Sequence, residues 1–185
     1  DDLSPWLPRN GFDLFVIGAQ ECKFTPPADL CGKPSYKTAG DAWVGALTRH
    51  FDRTYVRITA LSLREIRISL FVLEEHVKKI SHIRSTTVAT GIGNMVGNKG
   101  ACIVAFDFRD TSLCFVNSHL AAHQDKAKQR NNDVREIVRG ATAGLNLSHD
   151  FLDSFEYLFW MGDLNYRLNY GDDSRRPTQK VCVCV

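Results

Sequence analysis

Apolar positions along this chain fall mostly in short runs with the period of strands, separated by glycine, proline and charged breaks. Phe12 to Gly18 is a compact apolar run that stops at Gln20-Glu21 and predicts a buried strand. Tyr55 to Leu63 and Ile66 to Leu73 alternate polar and apolar residues, which predicts two strands turning at Arg64-Glu65. His82 to Thr90 is rich in β-branched residues. Ala101 to Phe108 and Leu113 to Asn117 predict a further pair of strands, turning at Arg109-Asp110-Thr111. Phe155 to Met161 predicts the last core strand, a buried one that delivers polar groups to the rim of a sheet.

A helical period surfaces twice. Trp43, Ala46, Leu47 and His50-Phe51 share one helical face over Asp41 to Phe51, with Asp41 near its start. Gln124 to Gly140 predicts a basic helix that buries Ala127, Val134, Ile137 and Val138 and ends at Gly140. Residues 22–40 and Gly91 to Gly100 read as loops, the second with four glycines, and residues 169–180 as polar and turn-rich.

Composition narrows the class. The 185 residues are 44% hydrophobic and 24% charged, so the chain is long and apolar enough for a sizeable core. The net charge of +2 argues against a general nucleic-acid binder. Basic clusters at Lys78-Lys79, Lys126 to Arg130 and Arg175-Arg176 read as solvated faces. The six cysteines lack zinc-ligand spacing, and Cys102 and Cys114 sit inside strands as small hydrophobes. Reduced thiols and a cytoplasmic location are the expectation. No apolar stretch approaches the roughly 18 residues of a membrane span.

Three polar clusters each follow a predicted strand: Gln20-Glu21, Asn117-Ser118-His119 with His123, and Asp163-Leu164-Asn165 with Arg167. Taken singly, each has a plain reading. Glu21 is a loop carboxylate, His119 a core histidine, His123 a residue at the start of a helix, Asp163 to Asn165 a turn, and Arg167 a surface cation. Taken together, strand ends at one sheet edge would gather two carboxylates, imidazoles and amides in one pocket, the groups that phosphoester hydrolysis needs. Glu21 and Asp163 are hard oxygen donors of the kind Mg2+ accepts. His119 could donate to a phosphate, and Asp163 could orient or deprotonate a water with Asn165 holding it in line. The glycine loop is not a Walker loop, because no Ser, Thr or helix follows Lys99. Its backbone, with Asn98 and Lys99, could hold a second phosphate.

These residues resemble the inositol polyphosphate 5-phosphatases of the endonuclease/exonuclease/phosphatase superfamily. The matching pieces are Phe12 to Glu21, Thr90 to Asn94 with Gly97 to Ala101, Phe115 to Leu120 with His123, and Phe159 to Leu168, with Arg130-Asn131 in the helix. Ile80 to Ile83 is most similar to the SHIP-type branch. The resemblance implies an α/β fold, a two-sheet β-sandwich flanked by helices in the four-layer DNase I-like manner. It implies Mg2+ as cofactor, with Glu21 as its ligand. His119, Asp163 and Asn165 would be catalytic, and Asn98, Lys99, His123 and Arg167 substrate-binding. Arg167 could instead tie its loop to neighbouring carboxylates.

The same resemblance sets further expectations. Residues 1–185 would form one partial catalytic domain, cut at both ends, because an upstream Asn and downstream Trp-Cys-Asp-Arg and Ser-Asp-His segments of the family do not occur. Such an incomplete sandwich would be poorly stable and inactive alone. The parent protein would remove the 5-phosphate of phosphoinositides or soluble inositol polyphosphates by in-line water attack, peripherally at membranes and without nucleic acid. Two alternatives stay open: a nuclease of the superfamily, marked by steep salt dependence, and a non-catalytic phosphoinositide-binding pseudoenzyme, marked by binding without turnover. Headgroup preference and oligomeric state stay undetermined by the sequence.

Overall fold

The computed structural model describes residues 2–23, 39–91 and 99–167. Two sheets carry the fold. The smaller is antiparallel, in the order β1 (Leu14–Ala19), β3 (Ile66–Leu73), β2 (Tyr55–Leu63). The larger runs β4 (Ile80–Ala89), β5 (Gly100–Phe108), β6 (Thr111–His119), β7 (Tyr157–Asp163), antiparallel until β6 and β7 pair in parallel. Helix α1 (Ala39–Phe51) precedes β2, and α2 (Ala127–Gly144) supplies the crossover between the parallel pair.

The side-chain alternation of the strands creates four layers. On β5, Cys102, Val104 and Phe106 face inward and meet Ile66, Ile68 and Leu70 of β3 between the sheets. Their neighbours Ala101, Ile103 and Ala105 face outward and pack with Ile137 and Ala141 of α2 and with Leu145, which follows it. Phe71, facing away from the inter-sheet core, joins Trp43, Leu47 and Phe51 of α1. The order is therefore helix, sheet, sheet, helix, which is the sandwich expected from the resemblance. Cys102 and Cys114 are fully buried, and burial raises each thiol to about 12.

Four expectations need correction. The first strand begins at Leu14, and Phe12 is 57% exposed. The last strand is no buried strand. Tyr157 and Phe159 are 56% and 49% exposed, because among the described residues three strands face four and β7 has a neighbour on one side only. Helix α2 does not end at Gly140 but continues to Gly144. Gly140 and Gly144 are packing positions, where a β-carbon would lie 2.6 Å from Val88 Cγ1 and 2.2 Å from Thr86 Oγ1 of β4. Finally, of the stripe expected on α2, Ile137 is buried and Val134 and Val138 pack half-buried against the same core, but Ala127 is exposed and Arg130, Asp133 and Ala141 are buried instead.

Candidate active site

Strand register assembles the site. In the larger sheet Gly100 lies opposite His119, and His119 opposite Asp163, so β5, β6 and β7 place Lys99, His119 and Asp163 at one end. The Thr90 N–H donates to the Lys99 carbonyl (3.2 Å), which closes the base of the glycine loop and fixes where Lys99 leaves it. Gly162 (φ +121°) allows β7 to press against β6, since a β-carbon there would lie 2.0 Å from the Ser118 carbonyl oxygen.

Glu21 arrives from the other sheet, so the carboxylates meet across the gap between two sheets and not along a single sheet edge as the sequence predicts. Asn117 makes that junction. Fully buried on the inner face of β6, its Nδ2 donates to the Arg67 carbonyl (2.7 Å) and the Ala19 carbonyl (3.2 Å). Its Oδ1 accepts from Gln20 Nε2 (2.5 Å). Arg67 Nη2 then holds the Cys22 carbonyl (3.0 Å), and the Cys22 N–H donates to the Glu65 carbonyl (3.1 Å). Between them Glu21 sits in a left-handed conformation (φ 51°). His123 (φ 77°) and Asn165 (φ 54°) adopt positive φ too, so the strained non-glycine backbone includes three of the predicted site residues.

His119 is the hub. Its side chain is 2% exposed, with Nε2 2.5 Å from Lys99 Nζ, 3.4 Å from Asp163 Oδ2 and 4.0 Å from Glu21 Oε1. Burial first, and then the Lys99 ammonium, push the imidazole below its ordinary proton affinity, against the pull of Asp163, Glu21 and Glu65. Burial also lowers Lys99, opposed by Asp163, Glu21 and Asp133. A neutral imidazole satisfies both directions, with Nε2 accepting from the ammonium. The ion pairs to the two carboxylates belong to the protonated ring, which the buried position disfavours.

The remaining predicted residues fall around this hub in different ways. Asn165 lies beside it, but its side chain is engaged: Nδ2 donates to the Leu120 carbonyl (3.0 Å) and Oδ1 accepts from Arg167 Nη2 (2.7 Å). Its N–H donates to Asp163 Oδ1 (3.1 Å), which fixes that carboxylate. Arg167 thus ties its loop to an amide and not to the carboxylates expected. Lys99, expected to hold a second phosphate, lies against His119 Nε2. His123 is exposed, and among the described residues no hydrogen bond or ion pair joins its ring to the hub; its carbonyl accepts from Arg130 Nη1 (2.7 Å). Asn98 lies outside the described residues.

Two supports had no role in the sequence reading, which named Arg130 only in a basic cluster and as a matching piece of the helix and did not name Asp133. Arg130 is 1% exposed, and its Nη1 also donates to the Ala121 carbonyl (3.1 Å) while its guanidinium stacks on the Tyr166 ring, 5.2 Å from the centroid. Asp133 accepts from the Ala121 N–H (2.9 Å). Together they hold the loop after His119. Arg and Asp three apart on a helix were a visible signal, masked by the generally basic composition of α2.

The donor set suits a divalent cation. Glu21 and Asp163 are hard oxygen donors, with side chains 69% and 48% exposed at the mouth of the cluster. Among the described residues no three His, Cys, Asp or Glu side chains form a compact ligand group. An ion held there would take few protein ligands and leave positions for water and substrate oxygens.

Endonuclease/Exonuclease/phosphatase family 2 matches residues 1–182. Phosphatidylinositol 3,4,5-trisphosphate 5-phosphatase 2A of Danio rerio is 37% identical over 172 residues, covering 91% of this chain and 12% of that protein. Type II inositol 1,4,5-trisphosphate 5-phosphatase of Mus musculus is 34% identical over 173 residues, covering 90% of this chain and 17% of that protein. Among solved structures, the inositol polyphosphate 5-phosphatase domain of SPsynaptojanin, in complex with inositol (1,4)-bisphosphate and calcium ion, superposes with a TM-score of 0.69 at 29% identity. That match covers 89% of this chain and 48% of the other, so the chain spans about half of that domain and a small part of the curated relatives. Cimex nitrophorin, as its ferrous NO complex, shares the fold alone, with a TM-score of 0.54 at 17% identity over 84% of this chain and 50% of the other.

Proposed function

The chain belongs to endonuclease/exonuclease/phosphatase family 2, and from that premise we propose that the His119 cluster serves the hydrolysis of a phosphate monoester. The substrate is the 5-phosphate of an inositol ring, carried by a phosphoinositide at a membrane surface or by a soluble inositol polyphosphate. The reaction is assigned to the natural protein carrying this chain.

The observation that carries the reading is the convergence of Lys99, Asp163 and Glu21 on His119 Nε2, within 2.5, 3.4 and 4.0 Å. With a neutral imidazole the four groups sum to about one negative charge, and a phosphate monoester brings roughly two more. Such a site repels its substrate unless a dication joins it. Glu21 would hold that ion, with Asp163 adjacent. Once bound, the ion offsets charge on the phosphoryl oxygens and polarises phosphorus towards attack.

The side chains then divide the remaining work. Asp163, fixed by the Asn165 N–H, positions a water in line and accepts its proton as the P–O bond to the ring breaks. Lys99 turns its N–H donors to the phosphate. His119 takes up a proton as the dianion arrives and donates Nε2–H to a phosphate oxygen. The inositol oxygen leaves as an alcohol after gaining a proton from solvent. Asn165 acts by holding Asp163 and the Leu120 carbonyl in place.

The test is phosphate release from inositol 1,4,5-trisphosphate with Mg2+, with Ca2+ and with a chelator. Release that needs a divalent ion and falls at least a hundredfold in Glu21→Gln and Asp163→Asn is the expected outcome. Cleavage of nucleic acid in place of the inositol phosphate would establish the nuclease alternative, and tight binding with no turnover the non-catalytic one.

A further inference from the structure

A ring of contacts runs from α2 through the loop after His119 to the turn after β7, and back to α2. It starts at Ala121, where α2 holds both polar ends of one residue. Asp133 Oδ2 accepts from the Ala121 N–H (2.9 Å), and Arg130 Nη1 donates to the Ala121 carbonyl (3.1 Å). Leu120 passes that hold to the turn: its N–H donates to the Asp163 carbonyl (3.0 Å), and its carbonyl accepts from Asn165 Nδ2 (3.0 Å). Inside the turn the Asn165 N–H takes Asp163 Oδ1 (3.1 Å), and the other carboxylate oxygen, Oδ2, lies 3.4 Å from His119 Nε2. Tyr166 closes the ring. Its hydroxyl donates to Asn131 Oδ1, and its ring lies against the Arg130 guanidinium, 5.2 Å from the centroid.

Two features of the turn show why this last link matters. Asn165 holds a left-handed backbone (φ 54°), which a residue other than glycine keeps only when its surroundings fix it. Tyr166 is the next residue, so docking its side chain on α2 supplies that constraint. Arg130 is 1% exposed, and among the described residues no carboxylate lies within ion-pair distance of it. Its charge is met by the Ala121 and His123 carbonyls and by the face of the Tyr166 ring, an attraction that strengthens where water is excluded. Tyr166 itself is 51% exposed and belongs to none of the buried apolar clusters, so its loss changes stability little. A carboxylate displaced by about 1 Å, in contrast, can cost as much as a hundredfold in rate.

We propose that Tyr166 is a positioning residue. Its anchorage on Arg130 and Asn131 of α2 sets the turn from Asp163 to Asn165, and through that turn the rate of the chemical step. The proposal rests on the hydrolytic reading of the His119 cluster and deepens it, since the site then extends to a side chain that bonds only to α2 among the described residues.

The test compares turnover of inositol 1,4,5-trisphosphate with Mg2+ by the natural protein carrying this chain and by its Tyr166→Ala, Tyr166→Phe and Asn131→Ala variants, with Tm measured on each. In Tyr166→Ala the expected kcat is about tenfold lower, with KM within about twofold of wild type and Tm within about 2 °C. Tyr166→Phe keeps the ring over Arg130 and loses only part of that rate. Adding Asn131→Ala to Tyr166→Phe costs nothing further, because the two changes remove the same bond. An unchanged kcat in Tyr166→Ala, a loss confined to KM, a loss that tracks Tm, or additive losses in the double variant would overturn the proposal. A second arm needs no turnover and follows amide hydrogen exchange. The Asn165 and Leu120 N–H groups should exchange several-fold faster in Tyr166→Ala, with the Thr90 N–H, bonded to the Lys99 carbonyl, unchanged. Absence of wild-type turnover would refute the hydrolytic reading alone, whereas equal exchange at Asn165 in the two proteins would overturn the positioning whatever the turnover.

Discussion

Replacing Asn117 tests how the two sheets are held in the register that forms the site. Only one orientation of the amide satisfies its surroundings: the Ala19 and Arg67 carbonyls need the NH2 group, and Gln20 Nε2 needs the oxygen. Asn117→Ala removes all three bonds at a fully buried position. With each net hydrogen bond at about 1 kcal/mol and buried carbonyls left unpaired at somewhat more, the loss is roughly 3 kcal/mol. That is a large part of a domain stability of about 5–15 kcal/mol. Asn117→Asp separates geometry from volume. It keeps the shape and the acceptor for Gln20 but turns a carboxylate oxygen towards two carbonyls, so it destabilises at least as much as alanine. Urea unfolding followed by Trp fluorescence, compared by midpoint at constant slope, gives both values. If Asn117→Asp lies within about 0.5 kcal/mol of wild type, the polar-clamp reasoning is refuted and Asn117 only fills space.

The other predictions concern the same rim. Lys99→Met removes one of the two causes that lower His119, so the imidazole titrates at higher pH in the variant, read from its ring-proton NMR shift; an unchanged or lower titration would contradict the contact. Because folding lowers His119 from its ordinary 6.5, the unfolded chain binds that proton more readily. The stability it contributes is complete above pH 6.5, is lost as the pH falls below that value, and is lost less in Lys99→Met. Gly162→Ala drives a β-carbon into the Ser118 carbonyl at positive φ and costs roughly 3 kcal/mol, seen as a lowered Tm and altered near-ultraviolet dichroism from Trp160, whose Nε1 donates to Ser118 Oγ (2.9 Å). Arg130→Met frees the Ala121 and His123 carbonyls, and proteolysis at Lys126 and Lys128 accelerates by at least tenfold; unchanged cleavage would show that the loop holds itself.

Much of this architecture was legible from periodicity. Tyr55–Leu63 and Ile66–Leu73 match the predicted strands to the residue, because alternation and a two-residue turn leave little freedom. The polar residues after three apolar runs pointed to Glu21, His119 and Asp163, which the structure brings together. The rest depended on partners distant in sequence. Whether Phe159 is buried depends on how many strands the facing sheet contains, which no local pattern encodes. Gly140 resembles a helix stop by composition, yet it is the spot where α2 lies against Val88. Arg67 resembles any polar strand residue until β1, α1 and the Cys22 carbonyl surround it. Asn165 and Arg167 were read as groups facing substrate, and their bonding to each other follows from the turn that Asp163 begins.

The central claim is that the cluster around His119 directs a water to the phosphorus of a 5-phosphate. The direct measurement is turnover of inositol 1,4,5-trisphosphate by the natural protein in heavy-oxygen water with Mg2+, followed by analysis of both products. The account predicts inositol 1,4-bisphosphate without label, one heavy oxygen in each released phosphate, and loss of both products in Asp163→Asn. Label in the inositol, release from another ring position, or undiminished turnover by Asp163→Asn would contradict it.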